Sequence, residues 1–252
     1  MKIGITERGD AGIDYTWLNK IEKRKVDGAI LITKNITDEF IGKVIKLYPN
    51  FPQLIIHCTC TGWGSTKIEP NVPPYQKQLD QLCKLIQSGF PKEQCVLRVD
   101  PILPNNSGIN RATKVLDMAL EMGILPDMRI RISVLDEYRH VKKRFEESGL
   151  KPIYGDNFYA SKYMMKTVET ALSQYNLKFE CCAEPYLNSD CFLHQGCISK
   201  RDIELMGLDI SNITNSINPQ NRNGCMCLSC KTELLSNRNR CPHKCIYCFW
   251  RD

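Results

Sequence analysis

The segment Cys241-Pro-His-Lys-Cys245-Ile-Tyr-Cys248-Phe-Trp-Arg-Asp252 places three thiols at C-x-x-x-C-x-x-C, with Tyr247 directly before the third. Thiolates so spaced can each take one iron of a four-iron, four-sulfur cluster, and three of them leave the fourth iron open. An incompletely ligated iron is a reactive one. The same residues also suit a structural zinc ion closed by His243 or by a cysteine between Cys225 and Cys230.

A second group consists of Cys182, Cys197, Cys225 and Cys227. Cys225-Met-Cys227 supplies two ligands, and the sequence-distant pair completes the set, with Cys181, Cys191 and Cys230 as competitors. Four thiolates suit either metal; an auxiliary 4Fe-4S cluster is the expected occupant, with zinc as the alternative. Fully ligated, such a centre has a structural or electron-relay role. Cys58, Cys60, Cys83 and Cys95 read instead as small buried hydrophobes.

The 252 residues include fourteen cysteines. The sequence starts in a strand pattern rather than a signal-peptide core and has no apolar run of membrane-spanning length. A reducing, cytoplasmic setting is therefore expected, with metal rather than disulfides accounting for the thiols. Hydrophobic residues at 42% and charged residues at 25% are ordinary for a globular chain, and a formal charge of +6 is too mild to argue for nucleic acid alone.

Chemistry of this kind needs a scaffold. Continuous apolar runs such as Gly28-Ala-Ile-Leu-Ile-Thr33 suit parallel strands buried on both faces. Strands are expected over 2–6, 27–35, 53–61, 95–100, 128–136 and 177–183. Helices are expected over 15–25, 37–48, 71–89, 109–122, 136–148 and 157–175. In the fifth strand Arg129, Arg131 and Ser133 face one way and Ile130, Ile132 and Val134 the other. About six strand-helix units without hairpin signals predict α/β architecture, a partial, open (β/α)6 TIM-like barrel over residues 1–183. Residues 184–252 form a cysteine-rich extension, with a short helix near Lys200 to Met206. It cannot make its own core, so metal and contact with the barrel must order it. The extension is expected to fold back over the strand ends, where barrel enzymes keep their chemistry.

The terminal triplet with its aromatic resembles the cluster loop of radical S-adenosylmethionine (SAM) enzymes, and is similar to that of the spore photoproduct lyases. The whole chain resembles a family of bacterial and viral domain-of-unknown-function proteins with a radical-SAM-like cysteine cluster at the C-terminal end. That similarity rests on Asp27 to Asn35, Thr61-Gly-Trp-Gly64 with Ile68-Glu-Pro-Asn-Val-Pro-Pro74, Arg98-Val-Asp-Pro-Ile-Leu103, Cys182-Ala-Glu184, Gly196-Cys-Ile198, Gly224-Cys-Met-Cys227 and Cys241 to Cys248. The chain departs from the family at Cys230 with Lys231-Thr-Glu-Leu234 and at Thr6 to Asp10. The resemblance implies a radical SAM barrel with the cluster loop permuted to the other terminus. It also implies reductive cleavage of SAM to a 5′-deoxyadenosyl radical, hydrogen abstraction from a substrate such as a nucleobase or modified nucleotide, and an external electron donor such as flavodoxin or ferredoxin.

Under that reading Cys241, Cys245 and Cys248 hold the SAM-binding cluster. Lys34, Asn35, Thr59, Ser133 and Tyr247 are candidates for cofactor binding, and Arg98, Asp100 and Glu184 for catalysis. Each has a plainer reading: Arg98 with Asp100 as an ion pair, Lys34-Asn35 as a turn. Arg139 to Arg144 read as a solvated helix face, and His57, His140 and His194 receive no role. The alternatives to an enzyme are a zinc-stabilised module that binds nucleic acid and an iron-sulfur electron carrier that uses no SAM.

Overall fold

The structure is a computed structural model and describes residues 1–213, 225–235 and 241–251, so that Gly224 and Asp252, quoted above, lie outside the described residues. The elements in order are β1 (Ile3–Ile5), α1 (Trp17–Arg24), β2 (Gly28–Thr33), α2 (Asp38–Leu47), β3 (Leu54–Thr59), α3 (Tyr75–Gln87), β4 (Cys95–Ile102), α4 (Asn106–Glu121), β5 (Arg129–Val134), α5 (Arg139–Glu147), α6 (Lys162–Leu172), β6 (Phe179–Cys181), β7 (Phe192–His194), α7 (Lys200–Leu205) and β8 (Lys231–Glu233). All eight strands are parallel, in the order β7-β6-β5-β4-β3-β2-β1-β8. This is an α/β fold. The expected strand and helix alternation is present over the first six strands.

Two strands exceed that expectation. The stretch from 184 onward adds β7 beside β6 and β8 beside β1, so both described edges of the sheet come from the cysteine-rich segment. Each is three residues long, too short for a period of two to register in the sequence. The expected helix near Lys200 forms as α7, started by a capping box in which Ser199 and Asp202 satisfy each other's backbone N–H groups. Thr37 caps α2 by accepting from the Phe40 N–H at 3.0 Å. The third helix begins at Tyr75 rather than Asn71, because Pro73 and Pro74 hold the preceding backbone extended.

The sheet is buried on both faces, by different partners. Leu31, Ile56, Leu97, Ile130 and Ile132 pack into the large core under the helices. The alternate residues Ile5, Ile30, Ile55 and Val96 meet Ile198, Ile203, Met206 and Leu228 from the later segment. On β5 the alternation places Arg129 and Arg131 on that second face. There Arg129 donates to Glu180 Oε1 at 2.8 Å and Asp202 Oδ1 at 2.7 Å, while Arg131 donates to Glu180 Oε2 at 2.5 Å. Burial alone would raise the pKa of Asp202, yet Arg131 and Arg129 hold it below the usual carboxylate value. Among the described residues no helix is long and apolar enough to cross a membrane.

Candidate functional site

A cavity of about 1210 Å³ lies where the parallel strands end. Its floor is built from Ile5 of β1, Thr33 of β2, Thr59 of β3, Arg98 and Asp100 of β4, and Ser133 of β5. Cys241, Cys245 and Cys248 line it from the C-terminal loop, and Cys182 and Cys197 from the loops after β6 and β7. Residues of the later segment thus share this cavity with residues of the strand ends.

The terminal loop is fixed by residues from four other parts of the chain. Asp10 accepts from the Lys34 N–H at 2.7 Å, the Gly12 N–H at 2.8 Å and the Thr33 hydroxyl at 2.6 Å, and it also holds His243 Nε2 at 2.8 Å. His243 Nδ1 lies 3.1 Å from the Asn71 carbonyl, so both ring nitrogens face oxygen and neither is left to ligate a metal. The alternative in which His243, rather than a cysteine, closes a zinc site is corrected on that ground. Asn71 Nδ2 donates to the Pro242 carbonyl at 2.6 Å, and the Ile246 N–H donates to the Ile68 carbonyl at 3.0 Å. Lys34 Nζ donates to Glu69 Oε1 and to the Tyr247 hydroxyl, both at 2.8 Å, and Tyr247 itself donates to Glu69. Burial would lower the Lys34 pKa, but the Glu69 carboxylate and Cys245 outweigh it and raise it instead.

Arg144 completes the clamp. Its guanidinium donates to the carbonyls of Ile246, Cys248 and Arg251, which corrects the reading of Arg139 to Arg144 as a solvated face at Arg144, while Arg139 and Lys143 are exposed. The pattern is visible in retrospect: Val141, Arg144 and Phe145 fall at i, i+3 and i+4 on the buried side of α5. Glu69 was likewise passed over. It sits between Ile68 and Pro70 and is fully buried.

Cys241 and Cys245 are held toward the protonated thiol. Burial pushes the Cys241 pKa up to about 11 and the Cys245 pKa well above the ordinary thiol value, with Lys34 opposing the rise at Cys245. Three thiols that would each take a separate iron must stand further apart than thiols sharing one ion. The sulfurs of Cys241, Cys245 and Cys248 do not all lie within 4.8 Å of one another, so they are not gathered for one shared ion.

Cys182, Cys197 and Cys227 are arranged differently. Among the described residues they are the group of three whose ligand atoms all lie within 4.8 Å of one another. Cys197 Sγ is 3.4 Å from Cys182 Sγ, and the Cys197 N–H donates to Cys227 Sγ at 3.1 Å. Contacts with Cys182 and Cys197 lower the Cys227 pKa, while contacts with Cys197 and Cys227 raise that of Cys182. Gly196 is what lets the loop after β7 approach the Cys225–Cys227 segment: a Cβ there would stand 2.5 Å from Cys227 Cα and 2.6 Å from its nitrogen. Cys225 packs in the same cluster, but its sulfur lies outside the 4.8 Å group. The expected competitors are committed elsewhere: Cys181 to His194 Nδ1 at 3.5 Å, Cys191 to Ser173 and Ser189, and Cys230 to the apolar face beside β1.

Of the other expected site residues, Lys34, Thr59, Arg98, Asp100, Ser133 and Tyr247 line the cavity. Arg98 pairs with Asp100, and the Ser133 hydroxyl donates to the same carboxylate. Those two partners hold the Asp100 pKa below the usual value against the burial that would raise it. Asn35 and Glu184 do not line the cavity. Asn35 belongs to the turn after β2, its N–H on Thr33, and Glu184 accepts from the Val134 N–H at 2.7 Å. The cavity also includes Glu7, Lys231 and Glu233. Burial raises the Glu233 pKa to about 7, and Glu7 adds to the rise.

Fold and site together define a parallel α/β protein whose strand ends, one cavity and two cysteine sets converge. The chain belongs to the family described as domain of unknown function DUF1848, whose model matches residues 15–250. That agrees with the nearly full-length resemblance read from the sequence. No curated protein matches the chain.

Proposed function

We propose that this protein is a radical SAM enzyme. The observation that carries the reading is the presence of Cys241, Cys245 and Cys248 on one cavity wall, over polar strand ends, with the loop's imidazole already committed to Asp10 and Asn71. Those three thiols would hold three irons of a 4Fe-4S cluster, which when bound supplies the electron that splits SAM into methionine and a 5′-deoxyadenosyl radical. The sequential neighbour order of β1 to β6 is that of a partial barrel, and we read the sheet as one.

The chain's own residues have separable tasks in this proposal. Lys34, Glu69 and Tyr247 hold the loop in register with β2. Arg98 and Asp100, fixed by Ser133, offer one cation and one carboxylate to the polar end of a ligand, and the buried Thr59 hydroxyl has no partner among the described residues. Phe249 and Trp250 line the cavity, with Arg8 4.6 Å over the Trp250 ring. A rim of that kind favours a planar substrate such as a nucleobase or modified nucleotide, which stacks on aromatic and guanidinium planes. Fourteen free cysteines suit a reducing compartment, and a flavodoxin or ferredoxin would deliver the electron.

Anaerobically reconstituted protein given SAM and a strong reductant is expected to hold iron and sulfide and to release 5′-deoxyadenosine. Cys245→Ser should abolish the release. Protein with a full complement of iron and sulfide that yields no deoxyadenosine would overturn the proposal.

A further inference from the structure

We infer that Cys182, Cys197 and Cys227 bind a single zinc ion through three thiolates and leave its fourth position open to the cavity for an exchangeable ligand. The inference needs neither SAM nor the terminal loop. It begins with spacing. Thiolates about 2.3 Å from one tetrahedral ion stand roughly 3.8 Å apart, whereas those on separate irons of a cluster radiate from different corners and stand wider. Cys182, Cys197 and Cys227 all fall within 4.8 Å of one another, with the Cys182–Cys197 pair at 3.4 Å. That is single-ion spacing, and it sets this group apart from the terminal triplet.

The surroundings point the same way. Gly196 removes the side chain that would keep Cys227 away from Cys197, and Arg131 fixes Cys197 by donating to its carbonyl at 2.8 Å. No further thiol closes the set: Cys225 stays outside the 4.8 Å group, and Cys181 and Cys191 are engaged with His194 and with serines. Cys182 and Cys197 line the cavity and Cys227 does not. An ion seated among the three therefore has its protein ligands behind and beside it, and its remaining valence toward the cavity. Water fills that valence at rest. A thiol is the best-matched replacement, because zinc held by soft thiolates accepts another and lowers its pKa. In the exchange the water leaves, the zinc–sulfur bond forms and the thiol proton passes to solvent, with no change of oxidation state.

Metal analysis of the full-length chain and three variants tests this. Unaltered protein should carry about one zinc in this site, as a structural three- or four-ligand site does. Cys227→Ser should lose it, while Cys225→Ser and Cys245→Ser keep it. Cobalt substituted for the zinc should give the absorption of a tetrahedral thiolate site, and 2-mercaptoethanol should shift that absorption. Loss of zinc in Cys225→Ser would reveal a closed four-thiolate site and overturn the inference. Iron and sulfide that depend on Cys227, or a cobalt spectrum indifferent to the thiol, would overturn it equally. Should Cys227→Ser not fold, the cobalt spectrum of the unaltered chain with and without 2-mercaptoethanol decides alone. Failure here leaves deoxyadenosine release by the Cys245 loop untouched, so the two proposals fall separately.

Discussion

The two cysteine sets share a cavity and are held in opposite ways. Around Cys241, Cys245 and Cys248 the hydrogen bonds fall on the backbone, on His243 and on Tyr247: Asn71 to Pro242, Ile246 to Ile68, Arg144 to three carbonyls, His243 to Asp10. Around Cys182, Cys197 and Cys227 two of them fall on the sulfurs themselves, beside the Arg131 bond to the Cys197 carbonyl and the Cys182 N–H bond to the Ile132 carbonyl. A loop clamped through its backbone is organised before any metal arrives. Thiols gathered against one another depend on a cation to complete them. Stripping metal should therefore leave the terminal loop in place and loosen the second set.

The sharpest way to break that contrast is through the arginine that supports each set. Arg131 holds the Cys197 carbonyl while paired with Glu180 and Asp202 inside the protein. Glu180→Ala leaves Arg129 and Arg131 short of countercharge, and losing one partner of a buried pair costs about 3–5 kcal/mol. Urea unfolding should show that loss, and the metal of the second set should go with it. A cost below about 1 kcal/mol would mean Asp202 suffices alone.

Arg144→Ala comes next. It strands the carbonyls of Ile246, Cys248 and Arg251, and unsatisfied buried acceptors cost about 1–3 kcal/mol each before water or relaxation repairs some of them. The variant should unfold at lower urea and hold less iron at the terminal triplet, while its zinc is unchanged. Arg144→Lys should not restore it, because a point ammonium cannot serve three divergent carbonyls. Equal loss of both metals would erase the distinction between the sets.

Much of this was legible in the chain. The alternation of Arg129, Arg131 and Ser133 against Ile130, Ile132 and Val134 gave the two faces of β5, and apolar runs such as that in β2 gave the parallel sheet. That the cysteine-rich segment must lean on the rest of the chain followed from its lack of apolar periodicity. What escaped was set by tertiary contact. Arg144 reads as surface in a basic stretch, although its place beside Val141 and Phe145 marked it as inward. Strands β7 and β8 have no period to detect, and they exist because β6 and β1 offer them open edges. That the second set draws in Cys182, Cys197 and Cys227 but leaves the Cys225 sulfur aside depends on backbone approach at Gly196, which spacing does not encode.

Gly196→Ala tests that approach with a single methyl. The added carbon would press on the Cys227 backbone, and such overpacking costs about 1–3 kcal/mol. Zinc should bind more weakly, with iron at the triplet unaffected. Unchanged zinc affinity would show that the second set tolerates a shift of the Cys225–Cys227 segment, and so is less closely built than its spacing implies.

The smallest effect is expected at Glu233, on the cavity wall but in neither set. Its carboxyl, raised to about 7 from an ordinary 4.5, keeps a proton in the folded chain that the unfolded chain has released. The sign follows: this residue's contribution to stability is full below about pH 4.5, declines as pH rises toward 7 and is flat beyond. Partial exposure screens the interaction, so the decline should be shallow. Subtracting the Glu233→Gln profile from that of the unaltered protein isolates it. Because Glu7 and burial, not thiolates, are what raise this carboxyl, the slope should survive removal of metal from both sets. A slope that disappears with the zinc would tie Glu233 to the second set, and the cavity would then have one electrostatic system where two are described.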